Sequence, residues 1–154
     1  MSEALQELIA IAGRHARGRR TKTAIPRVSI GRSEVPTPPL PELCLPTALF
    51  VLQGTKSVLI GDRALRYDAA SYFVYAVEAP ATSRLIEASA ARPYLAIGFA
   101  LNVEAVAALL VDHKPPAGDD FMTCPISDDL LDALRRTLRL LDRPEEIPVQ
   151  PIDG

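Results

Sequence analysis

From Ala48 to Ala100 apolar and polar positions alternate with a period of two in short runs, the pattern of strands with one face buried. Six strands are predicted: ALFVLQ (48–53), KSVLI (56–60), RALRY (63–67), SYFVYAV (71–77), SRLIEA (83–88) and YLAIGFA (94–100). Turn-forming residues separate them at Gly54, Gly61-Asp62, Asp68–Ala70, Ala79-Pro80 and Arg92-Pro93. Val28–Ile30 is a further short strand candidate. This spacing predicts a sandwich or barrel rather than a parallel sheet with crossover helices. Helical periodicity flanks the β region on both sides. Ser2 can cap a helix carrying Leu5, Leu8, Ile9 and Ala12, and Asn102 can cap VEAVAALLVDH. After the break at Pro115–Gly118, Ser127 or Asp128 opens DDLLDALRRTLRLLD, whose Leu130, Leu134, Leu138 and Leu141 form a stripe. Its acids come early and its arginines late, as the helix dipole favours.

In the hairpin SVLIGDRALRY (57–67) the two-residue Gly-Asp loop pairs Ile60 with Arg63 and fixes the register from there. Val58, Ile60, Leu65 and Tyr67 then share one face, with Lys56 and Arg63 at its ends, and this face is expected to point inward. YLAIGFA also has two distinct faces: Tyr94, Ala96, Gly98 and Ala100 on one, Leu95, Ile97 and Phe99 on the other. If the small residues point inward they vacate volume near Tyr94; if outward, they let a helix pack closely. Alternation alone does not choose.

Upstream, VPTPPLPELCLP (35–46) holds five of the fourteen prolines, so it is extended and cannot be a central strand. It is expected to lie as an arm across the rest of the domain. With 154 residues, 48% hydrophobic and 23% charged, the chain fits one globular domain. No run is long and apolar enough for a membrane span. The N-terminus places its basic residues after its apolar ones, the reverse of a secretory signal. Two cysteines, Cys44 and Cys124, give no disulfide framework, so a reducing cytoplasm is the expected compartment. The net charge is −2, yet residues 1–77 carry ten Lys/Arg against six Asp/Glu. The excess sits mainly in Arg14, Arg17, Arg19, Arg20 and Lys22, which read either as a solvated helix end running into a flexible link or as a contact for nucleic acid or an acidic partner.

Five pieces occur in a familiar order: SEVPTPPLPELCLP (33–46), LFVLQGTKSVLIGDRALRYD (49–68), YFVYAVEAPAT (72–82), IEAS (86–89) and RPYLAIGFALN (92–102). As a set, the stretch from Arg27 to about Leu110 resembles the N-terminal effector domain of AraC-type transcriptional regulators. The resemblance implies a mainly β fold, a cupin-like β-barrel (double-stranded β-helix) with a proline-rich N-terminal arm and C-terminal α-helices. It implies one sensing and dimerisation domain, divided into 1–26 helix and basic link, 27–101 arm and barrel, and 102–154 helices and tail. It further implies a small-molecule effector, a homodimer, and promoter DNA bound only through a C-terminal helix-turn-helix domain. The chain ends at Gly154 before such a unit begins, so it is expected not to bind DNA itself. The turn Asp68-Ala69-Ala70 departs from the Pro-Gly pair usual in the family.

The chemistry of the remaining residues favours binding over catalysis. Cupin enzymes hold a metal with histidines from barrel strands, whereas His15 and His113 fall outside the predicted strands. No cofactor, no metal and no catalytic residue are therefore expected; a stand-alone small cupin-like barrel enzyme, using Glu87 or a bound metal, is the alternative. Glu78 and Glu87 on neighbouring strands read more simply as rim carboxylates than as an acid–base pair. GTKS (54–57) lacks the pattern of a phosphate loop. For a ligand, Thr37, Tyr72 and Tyr94 are the expected polar contacts, with Phe50 and Val58 as apolar wall. The stripe Leu130, Leu134, Leu138 and Leu141 is expected to serve dimerisation, or else to cover the barrel as core.

Overall fold

A computed structural model describes residues 3–75, 78–101 and 121–147. The expected Ser2 cap, the helix from Asn102 with His113, and the final residues from 148 lie outside the described residues. Among the described residues ten strands form two antiparallel sheets, flanked by helix α1 (Glu3–His15) and helix α2 (Asp128–Leu138). The strands are β1 (Arg20–Lys22), β2 (Val28–Ser33), β3 (Leu40–Cys44), β4 (Thr47–Gln53), β5 (Thr55–Ile60), β6 (Arg63–Tyr67), β7 (Ser71–Tyr75), β8 (Ala79–Glu87), β9 (Tyr94–Ala100) and β10 (Phe121–Pro125). The larger sheet runs β1-β2-β9-β4-β7-β10 and the smaller β3-β8-β5-β6. The arrangement is mainly β, with two antiparallel sheets.

The β5–β6 hairpin has the predicted register, Ile60 opposite Arg63 through Lys56 opposite Tyr67. Gly61 at φ 59° supplies the left-handed first position that such a two-residue loop needs. The chain crosses from the large sheet to the small one at Gly54, φ 87°. A Cβ there would stand 2.6 Å from the Glu87 carbonyl oxygen and 3.0 Å from Tyr94 Cα, so only glycine lets these three backbones meet.

Both faces of the large sheet are buried, which is why β4 and β9 read as nearly continuous apolar runs. Its outer face (Val28, Ile30, Phe50, Leu52, Leu95, Ile97) carries α1 and α2, through Leu5, Leu8, Ile11, Leu131, Leu134 and Leu138, together with Leu141 just beyond α2. Burial of each such leucine is worth roughly 1.5–3 kcal/mol. Ion pairs tie α1 to the 3-10 turn (Arg139–Asp142) that follows α2: Arg139 with Glu7 at 2.9 Å, and Asp142 with Arg14 at 2.7 Å and His15 at 2.8 Å. Ser127 caps α2, its Oγ accepting from the Leu130 amide at 3.2 Å.

Four segments differ from expectation. Ala79-Pro80 starts β8 instead of separating strands; Pro80 stands opposite Leu43 of the edge strand β3. The basic link contains β1, and β10 pairs with β7 in a stretch whose pattern predicts no strand. The proline-rich segment is extended as its composition requires, but it enters the small sheet as β3, with Pro41 on an edge.

Candidate functional site

The space between the sheets is filled on one side and open on the other. On the filled side Tyr67 of β6 stacks on Phe73 of β7, ring centroids 4.0 Å apart, beside the fully buried Val51 and Val58. The hairpin face Val58, Ile60, Leu65 and Tyr67 is thus an inner wall, and it closes the core. On the other side, β2 and β9 face β3 and β8 across a cavity of about 980 Å³.

Register explains the opening. Gly31 pairs with Ala96, and Ser29 with Gly98, all on the concave face, so this stretch of sheet carries almost no side-chain bulk. The small residues of β9 therefore point inward, while Leu95 and Ile97 meet the helices. Ser83 stands opposite on the small sheet, and Leu49 and Leu85 supply apolar wall. A volume of this size, with an apolar floor and polar and charged groups around it, suits a small organic molecule.

The polar groups in the cavity are specific. Lys56 Nζ lies 3.6 Å from Glu42 Oε1, with the lysine side chain only 16% exposed. The buried Cys44 thiol donates toward the same oxygen at 3.9 Å. Tyr94 is 5% exposed, and burial, reinforced by the Glu42 carboxylate, pushes its phenol far above the ordinary range. It is a neutral hydrogen-bonding group at any physiological pH. Thr37 is held by β8 at two points: its amide donates to the Leu85 carbonyl (3.1 Å), and its Oγ1 accepts from the Leu85 amide (2.9 Å).

Of the five expected ligand contacts, Thr37 and Tyr94 line this cavity. Val58 belongs to the filled core beside it. Phe50 and Tyr72 lie on the opposite face of the large sheet, stacked at 5.1 Å under the helices, with Phe99 edge-on to Phe50 at 5.5 Å. Residue parity places them there: Leu49 and Val51 are the inward residues of β4. In the leucine stripe, Leu134, Leu138 and Leu141 are buried in the chain's own core, and Leu130 is half-buried. Among the lining residues not anticipated are Ser29, Gly31, Glu42, Leu49, Ser83 and Leu85. Lys56 at the end of the inner hairpin face is the one signal in the pattern for this polar wall.

Among the described residues no three His, Cys, Asp or Glu side chains group as metal ligands, and no helix is long and apolar enough to cross a membrane. His15 sits at the end of α1, bound to Asp142.

No curated protein matches the chain in sequence. Similar solved structures include apo ToxT from Vibrio cholerae (8% identity, TM-score 0.46, covering 79% of this chain and 49% of that one). The AraC-like transcriptional activator CuxR is similar at 11% identity and TM-score 0.33, over 83% of this chain and 55% of that one. Salicylate 1,2-dioxygenase from Pseudoaminobacter salicylatoxidans is similar at 13% identity and TM-score 0.39, over 79% and 34%. The chain spans about half or less of the length of these proteins. The model of the AraC-type transcriptional regulator N-terminus matches residues 24–150, which takes in β2 to β10, the cavity except for its β1 edge, and α2, and the chain belongs to that family.

Proposed function

We propose that this chain is the effector-sensing and dimerisation domain of a cytoplasmic AraC-type regulator, that it binds a small molecule without transforming it, and that promoter DNA is bound by another domain. The observation that carries this is the cavity of about 980 Å³ floored by Gly31, Ala96 and Gly98. One of its walls is the proline-rich segment from Leu40 to Pro46, whose position Thr37 fixes through its two hydrogen bonds to Leu85. A ligand that prefers one placement of this wall shifts the population toward it, and only that differential affinity transmits a signal.

Dimerisation has a candidate surface on α2. Glu7 pairs with Arg135, and with Arg139 in the turn that follows, on the flank facing α1, while Leu130, Ala133, Thr137 and, in that turn, Leu140 are half-buried on the opposite flank. That flank, rather than the consumed Leu134, Leu138 and Leu141, is the part of the helix available to a second copy.

The test is a thermal-shift screen of metabolites on the wild type and on Gly98→Leu, with light scattering to give the mass. Stabilisation of the wild-type dimer by a compound that leaves Gly98→Leu unmoved supports the proposal. A monomer that no metabolite stabilises, or turnover of a bound compound by the purified chain, contradicts it.

A further inference from the structure

The basic cluster near the N-terminus has a place in the fold that its sequence does not reveal. β1 pairs with β2 so that Arg20 stands opposite Gly31 and Lys22 opposite Ser29. Gly31 and Ser29 belong to the concave face, so the two cations project from the same face, at the sheet edge beside the cavity. Seven of the eight charged residues lining the cavity are cationic, Glu42 being the exception. Glu42 is taken by Lys56, and Arg32 by Glu34 at 2.9 Å. Among the described residues, Arg19, Arg20, Lys22, Arg27 and Arg84 have no carboxylate within 4.0 Å. A cleft lined by one sign of charge between low-dielectric walls concentrates ligands of the other sign.

We propose that the effector is an organic anion, with an apolar body over the bare floor at Ala96 and Gly98 and an acidic group at the Arg20–Lys22 edge. The inference rests on the cavity being the effector site. The floor at Ala96 and Gly98 has no charge to meet an anion, and the cations stand at the sheet edge, so the two parts of the ligand are sorted along the cleft. The unpaired cations carry the acid group. Tyr94 offers the apolar body a ring with a neutral hydroxyl.

Anilinonaphthalene sulfonate and its uncharged counterpart phenylnaphthylamine share a ring system and differ in the acid group, so fluorescence titration with both separates the two parts. The expected result is at least tenfold tighter binding of the sulfonate, weakening as salt rises. Arg20→Gln/Lys22→Gln should bring the sulfonate down to the level of the uncharged dye. Gly98→Leu should weaken both dyes in a chain whose circular dichroism is unchanged. Equal binding of both dyes, with no effect of the double substitution but loss in Gly98→Leu, would overturn the anion inference and leave the cavity reading standing. Indifference of both dyes to Gly98→Leu would overturn the cavity reading itself. Displacement of the dye by inorganic phosphate as well as by phenylbutyrate would overturn the requirement for an apolar body. A salt-sensitive shift of duplex DNA that the double substitution abolishes, with dye binding untouched, would assign the cluster to nucleic acid instead.

Discussion

Gly98 stands directly opposite Leu49 across the β4–β9 ladder, and the side chain it lacks is part of the space that the cavity occupies. A Cβ at this position would meet Ser29 Oγ at 3.0 Å, and Thr47 Cγ2 and Leu49 Cδ1 only at 3.9 and 4.0 Å. Gly98→Leu therefore fills the cavity at the price of turning one hydroxyl, and a loss of about 1–2 kcal/mol is expected. Ala100→Leu, on the same face at the exposed end of β9, should narrow the cavity with less strain. Urea denaturation and ligand titration of both variants check this: binding should fall in each while the fold persists.

Gly54 tolerates no side chain. With φ at 87° and the Glu87 carbonyl oxygen 2.6 Å from where an added Cβ would stand, Gly54→Ala should destabilise the chain by roughly 2–4 kcal/mol. Chemical denaturation should show the full loss, since the corner joins the two sheets.

Ala70 is the opposite case. It adopts φ 66°, the conformation for which the family's usual glycine is suited, while its amide donates to Val51 and its carbonyl accepts from Ile126, both at 2.9 Å. The backbone is fixed by these bonds and the alanine is strained in place. Ala70→Gly is expected to stabilise the chain by about 1 kcal/mol, readable as a rise in the denaturation midpoint.

Asp142 is held below the usual carboxylate range by its hydrogen bond with His15 first and by Arg14 second. A carboxyl depressed in the folded state adds stability above its unfolded pKa, and that contribution is lost as pH falls through the folded value. The side chain is 39% exposed, so the effect is below about 1 kcal/mol. Stability measured from neutral pH down into the acid range should fall less steeply in Asp142→Asn, and raised salt should shrink the difference.

On α2, Leu138→Ala should cost about 2–5 kcal/mol, because Leu138 is fully buried between the helix and the sheet. Leu140→Glu, on the half-buried flank, should leave the monomer folded and lower the mass seen by light scattering from dimer to monomer. A Leu140→Glu protein that remains dimeric would remove this flank from the interface.

The contrast between Leu138 and Leu140 shows what sequence pattern conveys. A helical stripe states which residues share a side, but not whether that side meets the chain's own sheet or a partner. The hairpin register was legible to the residue, because a two-residue loop leaves no alternative pairing. YLAIGFA was legible as two faces and not as inside and outside, because both faces of this sheet are covered. The same double burial made Phe50 and Tyr72 look as suitable for a ligand as Tyr94. β1 was not legible, since three polar residues on an edge carry no apolar alternation. Yet it is β1 that brings Arg20 and Lys22 to the cavity edge.

Methyl-resolved nuclear magnetic resonance of the chain titrated with anilinonaphthalene sulfonate tests the central claim most directly, because the two apolar clusters carry different leucines. Binding in the cavity predicts shifts at Leu49 and Leu85, with Leu95 and Leu138 under the helices unchanged. Shifts confined to Leu95 and Leu138, with Leu49 and Leu85 silent, would contradict it.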